Sequence, residues 1–252
     1  MKNILESYIR LILLENIQNT YNLFIDAISI SDEYGPKLLE ALCNSSDVQE
    51  LVRTGKCSDT YFTEVYQSVL SKGFKLFAQG SGRLVFSHES SPDVLFKLVI
   101  PDEDEIDDNL EETSREKTLA SNPKSKDIIA KSIIISSGNS ELDNYFNIVE
   151  KVIRIFDEDW ECVLDKKTLQ ELRASMPNIK GNDNEFCNVI KERLVTYYNY
   201  FQGQEELPKE KKDILKDFFD KINKLNISEP KPDNVGLKRN ESGELRFIML
   251  DV

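Results

Sequence analysis

The sequence predicts an α+β chain in which a five-stranded antiparallel sheet lies between two helical regions. Three observations carry that prediction. Apolar residues recur at helical spacing as far as Leu70, they fall into short β-branched and aromatic runs from Phe74 to Ile153, and they return to helical spacing from Lys166 to Leu225. The divisions expected from these changes are a helical N-terminal extension over 1–72, a β-rich lobe over 73–156 and a helical lobe over 157–252.

Composition narrows the function classes. The chain has 252 residues, 40% of them hydrophobic, which suffices for an ordinary core, and the 31% that are charged are interleaved with apolar ones, which argues against disorder. A net charge of -13 speaks against nucleic acid as a partner, because phosphate backbones need a basic face. Cys43, Cys57, Cys162 and Cys187 form no Cys-x-x-Cys pair and His88 is the single histidine, so no zinc site is expected. Glu6, Arg10 and Glu15 interrupt the apolar opening, which therefore reads as neither signal peptide nor membrane span, and a cytoplasmic protein without a membrane partner is expected.

The first helix is expected over 3–30 from Ile4, Leu5, Tyr8, Ile9, Ile12, Leu13 and Ile17, prolonged by Leu23, Phe24, Ala27 and Ile28. Gly35-Pro36 opens a new segment, and helices follow over 37–43, 46–53 and 58–70, with Ser46 and Ser58 as N-caps. The apolar stripe of this extension is read as core packed on its own domain, with docking of a protein partner as the alternative.

Strands are expected at Phe74–Gln79, Leu84–His88 and Val94–Ile100, separated by turns at Gly80-Ser81-Gly82 and Ser90-Ser91-Pro92-Asp93. The acidic run from Pro101 to Glu112 suits a solvated loop and a helix start, and a helix follows over Asn109–Ala120. Asp127–Ser136 and Tyr145–Ile153 supply the fourth and fifth strands. Helices then run over 166–175, 184–200 and 208–225, with Pro208 in a first turn and Gln202-Gly203 at a helix end. Asn240-Glu241-Ser242-Gly243 turns a final hairpin.

The chemistry concentrates around that hairpin. Glu229-Pro230-Lys231-Pro232-Asp233-Asn234 places a carboxylate, a lysine two residues on and an asparagine three further, and the strand Leu245–Leu250 then delivers Asp251. Such a set suits a nucleotide and magnesium, with one carboxylate orienting the attacking hydroxyl, the lysine compensating charge and the Asn and Asp holding the metal. At these residues, at Gly80-x-Gly82 and at Lys97 within its apolar strand, the chain resembles the protein-kinase-like superfamily, whose catalytic loop reads Asp-x-Lys-x-x-Asn.

The resemblance implies a two-lobe fold with a five-stranded sheet lobe and a reduced helical lobe, using ATP and Mg²⁺. Gly80 and Gly82 would cover the phosphates and Lys97 would contact them. Glu116 would hold Lys97, with Glu112 in reserve. Asn234 and Asp251 would bind Mg²⁺, Lys231 would steady the γ-phosphate, and Glu229 would take the catalytic carboxylate position, with Asp233 as the alternative carboxylate. Residues 155–163 would form the hinge whose backbone meets adenine, with Trp160 beside it.

Two departures qualify the match. Glu229 stands where the family has Asp, and the given sequence stops at Asp251-Val252, before any activation segment. The expected function is an ATP- and Mg²⁺-dependent phosphotransferase acting on a protein or a small molecule. The alternatives are a pseudokinase-like binding or regulatory module with the N-terminal helices as its interaction surface, and an unrelated α+β structural protein. The opening Ile4-Leu5-Glu6-Ser7-Tyr8-Ile9-Arg10-Leu11-Ile12-Leu13 resembles the N-terminal pattern of many tailed-bacteriophage proteins, which implies a host cytoplasm as the location.

Overall fold

Two antiparallel sheets organise the chain, each in its own unit. A computed structural model describes residues 2–29, 45–80, 82–100, 106–125, 128–133, 142–157, 159–203, 213–225, 231–240 and 242–250. The first unit comprises 1–117 and 132–151, the second 118–131 and 152–252.

In the first unit three helices, α1 (Lys2–Ile28), α2 (Ser45–Thr54) and α3 (Thr60–Ser71), precede the strands β1 (Lys75–Gln79), β2 (Arg83–Ser87), β3 (Val94–Val99) and β4 (Phe146–Glu150). The sheet order is β1-β2-β3-β4, antiparallel throughout. Ser46 lies inside α2, and α3 is capped by Asp59, whose carboxylate accepts from the Phe62 amide at 2.6 Å, in place of the expected Ser58. The expected helix over 37–43 lies outside the described residues.

The N-terminal helices and one face of the sheet share a single core. Phe24 of α1 is fully buried, with ring centroids 5.2 Å from Phe74, 6.3 Å from Phe86, 5.1 Å from Phe96 and 5.9 Å from Phe146. Leu84 and Phe86 of β2, Phe96 and Leu98 of β3, and Phe146 and Ile148 of β4 point into this core with Val65, Tyr66 and Val69 of α3. Strand alternation therefore sends Arg83, Lys97 and Asn147 to the opposite face. Helix α4 (Ile106–Ser121), with Asp107 and Asp108 in its first turn, presents Asn109, Thr113 and Glu116 as its buried residues.

The five-stranded sheet is corrected to four strands. Of the segment expected as the fourth strand, Ile129 forms one parallel bridge with Met249 in the second unit and Ser132 one antiparallel bridge with Val149 in the first. The described part of the segment is divided between two sheets and makes a single bridge with each, too little for a ladder in either; 134–141 lie outside the described residues.

The second unit holds β5 (Ile153–Arg154), β6 (Val235–Arg239) and β7 (Leu245–Met249), in the order β5-β6-β7, with α5 (Lys166–Ser175), α6 (Asp183–Phe201) and α7 (Ile214–Lys224). Its core joins Phe156, Leu172, Phe186, Ile190, Leu194, Phe219 and Ile222 to Val235, Leu237, Phe247 and Met249. Tyr197 and Phe219 stack with centroids 3.4 Å apart. Each helix start is capped by its sequence: Asp165 before α5, an Asn182–Glu185 capping box before α6 and Asp213 before α7. Asp213 also pairs with Arg193, at 2.7 and 3.2 Å. Burial alone would raise the Asp213 pKa, but the bonds from Arg193 and from the Lys216 and Leu215 amides prevail and hold it below the usual carboxylate range. Pro208 lies outside the described residues, while Gln202 does cap α6 and Gly203 follows at φ +70°.

Candidate functional site

A buried polar cluster lies on the face of the first sheet opposite the N-terminal helices, where α4 crosses it. Lys97 Nζ donates to Glu116 Oε1 at 2.8 Å, and both side chains are almost wholly buried. Arg83 Nη1 donates to the same oxygen at 2.6 Å, while its Nη2 lies 2.9 Å from Glu112 Oε2. Asn147 Nδ2 donates to the other oxygen, Oε2, at 2.9 Å and to Ser132 Oγ at 3.0 Å.

Strand register builds this cluster. Lys97 stands directly opposite Asn147 on β4 and opposite Val85 on β2, so Arg83, two residues before Val85, is its diagonal neighbour on the same face. Three strands thus converge on one carboxylate brought by α4. Next to it on the helix, burial pushes the Lys117 amine below its usual range, against the opposing pull of Asp143 and Glu116.

The glycine turn joins β1 to β2 beside the cluster. Gly80 is exposed, its amide donates to the Arg83 carbonyl at 2.9 Å, and a Cβ there would meet only that carbonyl, at 3.9 Å. Gly82 is buried: its carbonyl accepts from the Ile100 amide at 2.9 Å, and a Cβ would overlap the carboxamide of Asn109. Asn109 is 6% exposed, and its Nδ2 has no hydrogen-bond acceptor among the described residues. A second orphan atom of the cluster is the buried Oδ1 of Asn147. A buried donor without a partner beside a glycine turn, with two cations on the neighbouring strands, is suited to an oxyanion ligand.

The remaining candidates belong to the second unit. Lys231 precedes a one-turn 3₁₀ helix (Pro232–Asn234), and its Nζ lies 5.8 Å from the centre of the Tyr198 ring. The Asn234 carbonyl accepts from the Leu250 amide at 2.8 Å, so the backbone brings Asn234 against the residue just before Asp251. Glu229 and Asp251 themselves lie outside the described residues. Among the described residues no three His, Cys, Asp or Glu side chains gather as a metal site.

The described residues of 155–163 are tied together by bonds of their own. Asp157 Oδ1 accepts from the amides of Asp159 and Glu161, while the amides of Asp157, Trp160 and Val163 donate to the carbonyls of Glu161, Asp157 and Ile155. Trp160 sits at φ +59°, and its Nε1 donates to Asp233 Oδ1 at 3.0 Å. Cys162 is joined by a disulfide to Cys187 of α6, a bond that wide spacing in the sequence did not suggest and that is rare in reducing compartments. Cys57 is outside the disulfide, with its Sγ donating to the Asp59 carbonyl at 3.3 Å, and His88 packs at a tilt against Phe74, ring centroids 4.8 Å apart, with its Nδ1 accepting from the Ser90 amide, a packing role.

The sequence singled out Lys97 and Glu116, but it did not show Asn147 joining them, Arg83 sharing their carboxylate or Asn109 lying against Gly82. The helical period of Asn109, Thr113 and Glu116 was present, but a search for apolar stripes passes over a polar one. No helix among the described residues is long and apolar enough to cross a membrane. No family model, curated protein or solved structure matches the chain.

Proposed function

We propose that the chain is a kinase-like phosphotransferase dependent on ATP and Mg²⁺, acting on a protein or a small-molecule acceptor. The observation that carries the reading is the buried Lys97–Glu116 pair between β3 and α4, beside a glycine turn. An ammonium fixed by a carboxylate can present its charge to the α- and β-phosphates without being drawn off to solvent. In this reading Gly80 and Gly82 cover the phosphates, Lys231 steadies the γ-phosphate, and Asn234 with Asp251 holds Mg²⁺. Bound Mg²⁺ would supply neutralisation of charge on the β- and γ-phosphates. Glu229 takes the position of the carboxylate that orients the acceptor hydroxyl and accepts its proton.

The longer side chain of Glu229 sets a limit on rate. One added methylene displaces the carboxylate by about 1 Å, and a shift of that size can cost about 10²-fold. The chain is therefore expected to be a slow enzyme, and Glu229→Asp to quicken it. The same residue favours the second reading, a pseudokinase-like module that binds nucleotide with little or no transfer.

The deciding assay follows Mg²⁺-dependent ATP turnover in the wild type, Lys97→Ala and Asp251→Ala. Turnover abolished in both variants supports the enzyme. Binding without turnover, unchanged in Glu229→Asp, supports the module.

A further inference from the structure

We infer that Arg83 is a positioning residue of the phosphate site: it keeps Glu116 in place and balances its charge while Lys97 turns toward the phosphates of a bound nucleoside triphosphate. The inference rests on the nucleotide reading above and extends it to the residue that follows the glycine turn.

Two cations share one oxygen. Arg83 Nη1 and Lys97 Nζ both donate to Glu116 Oε1, at 2.6 and 2.8 Å, and the Glu116 side chain is only 4% exposed. In a two-membered pair, a lysine drawn to a phosphate would leave its buried carboxylate without a cation, which is strongly unfavourable. Here the carboxylate keeps Arg83 on Oε1 and the Asn147 amide on Oε2.

The chemistry of the two cations divides their roles. Arg83 is a planar fork whose Nη1 is hydrogen-bonded to Glu116 and whose Nη2 lies at ion-pair distance, 2.9 Å, from the Glu112 carboxylate, and a guanidinium does not lose its proton. Lys97 carries a point charge on a flexible stem whose donors can be redirected. Arg83 is accordingly the anchor and Lys97 the mobile contact. Placement agrees, since Arg83 opens β2 immediately after Gly82, and the Gly80 amide bonds to its carbonyl.

The test measures dissociation constants of the full chain for ATP with Mg²⁺ and for adenosine, in the wild type, Arg83→Gln, Arg83→Lys, Lys97→Met and the Arg83→Gln/Lys97→Met double variant. Arg83→Gln is expected to weaken ATP binding about tenfold, the scale of one charge-assisted hydrogen bond, and to leave adenosine unchanged. Arg83→Lys should recover part of the loss. In the Lys97→Met background the Arg83 substitution should cost little, because the contact it positions is gone.

A purely structural arginine would lower thermal stability and leave ATP affinity within twofold of the wild type. That result overturns the inference, as does equal weakening of ATP and adenosine or strict additivity in the double variant. Failure of the wild type to bind ATP overturns the nucleotide reading and this inference with it. If Arg83→Gln does not fold, Glu112→Gln decides, since it frees one end of the guanidinium while keeping the Glu116 pair. Weaker ATP binding with adenosine unchanged then supports the role, and unchanged ATP binding overturns it.

Discussion

Lys97 on β3 and Asn147 on β4 are cross-strand partners, and each bonds a different oxygen of the Glu116 carboxylate. Sheet register thus fixes the carboxylate before any ligand arrives. This rigidity is what a charge-positioning site requires, because geometry set in advance need not be reorganised on binding.

Replacing Glu116 by Gln should be far more damaging than its small change in shape suggests. Arg83 and Lys97 would keep their charges in a buried setting without the Glu116 carboxylate, and a loss of about 3–5 kcal/mol in unfolding free energy is expected. Asn147→Ala removes neutral donors and should cost about 1–2 kcal/mol. Urea denaturation of both variants checks the order, and an equal loss would mean that the ion pairs contribute nothing beyond ordinary hydrogen bonding.

The two glycines of the turn should separate structure from binding. Gly82→Ala pushes a methyl group into the Asn109 carboxamide, which is buried and has to move as a whole, at about 1–3 kcal/mol. Gly80→Ala meets only the Arg83 carbonyl, at an ordinary contact distance of 3.9 Å, and should change stability by under about 0.5 kcal/mol. Any effect of Gly80→Ala on ATP affinity then reports on phosphate contact. Equal destabilisation by the two would show that Asn109 does not cover Gly82 in solution.

Asp213 makes part of the second unit's stability acid-labile. Its folded pKa is depressed below the ordinary value of 3.8, so its contribution is fully present above that value and is lost as pH falls through the lower folded pKa. Asp213→Asn should destabilise the chain at pH 6 by about 2 kcal/mol, through the Arg193 pair and the weakened cap. The difference from wild type should shrink steadily below pH 4. A difference constant from pH 6 to pH 2 would exclude the charge as its source.

Local features were the ones legible in the sequence. The strands at Phe74, Leu84 and Val94, the helices after Lys166 and the Asn240–Gly243 turn announce themselves through alternation, period and turn chemistry within a few residues. Lys97 stood out as one charge in an apolar strand. Arg83 could be named with Lys97 and Lys231 as a cation available to a nucleotide site, but its sharing of one carboxylate with Lys97 and Asn147 was not legible, because that convergence depends on the pairing of β2, β3 and β4 over a separation of 64 residues. The Ile133-Ile134-Ile135 run reads as a strand by composition, yet its described neighbours bridge two sheets in turn. The Cys162–Cys187 bond and the internally bonded turn around Trp160 likewise depend on three-dimensional proximity that spacing does not encode.

The measurement that bears most directly on the proposed nucleotide site is thermal unfolding of the wild type and Lys97→Ala, each titrated with ATP in the presence and absence of Mg²⁺. At 100 times its dissociation constant a ligand adds about 2.7 kcal/mol of stability. The predicted result is an ATP-induced rise in the wild type that is larger with Mg²⁺ and disappears in Lys97→Ala relative to that variant's own ligand-free baseline. No rise in either protein, or an equal rise in both, would contradict a phosphate site built on Lys97 and Glu116.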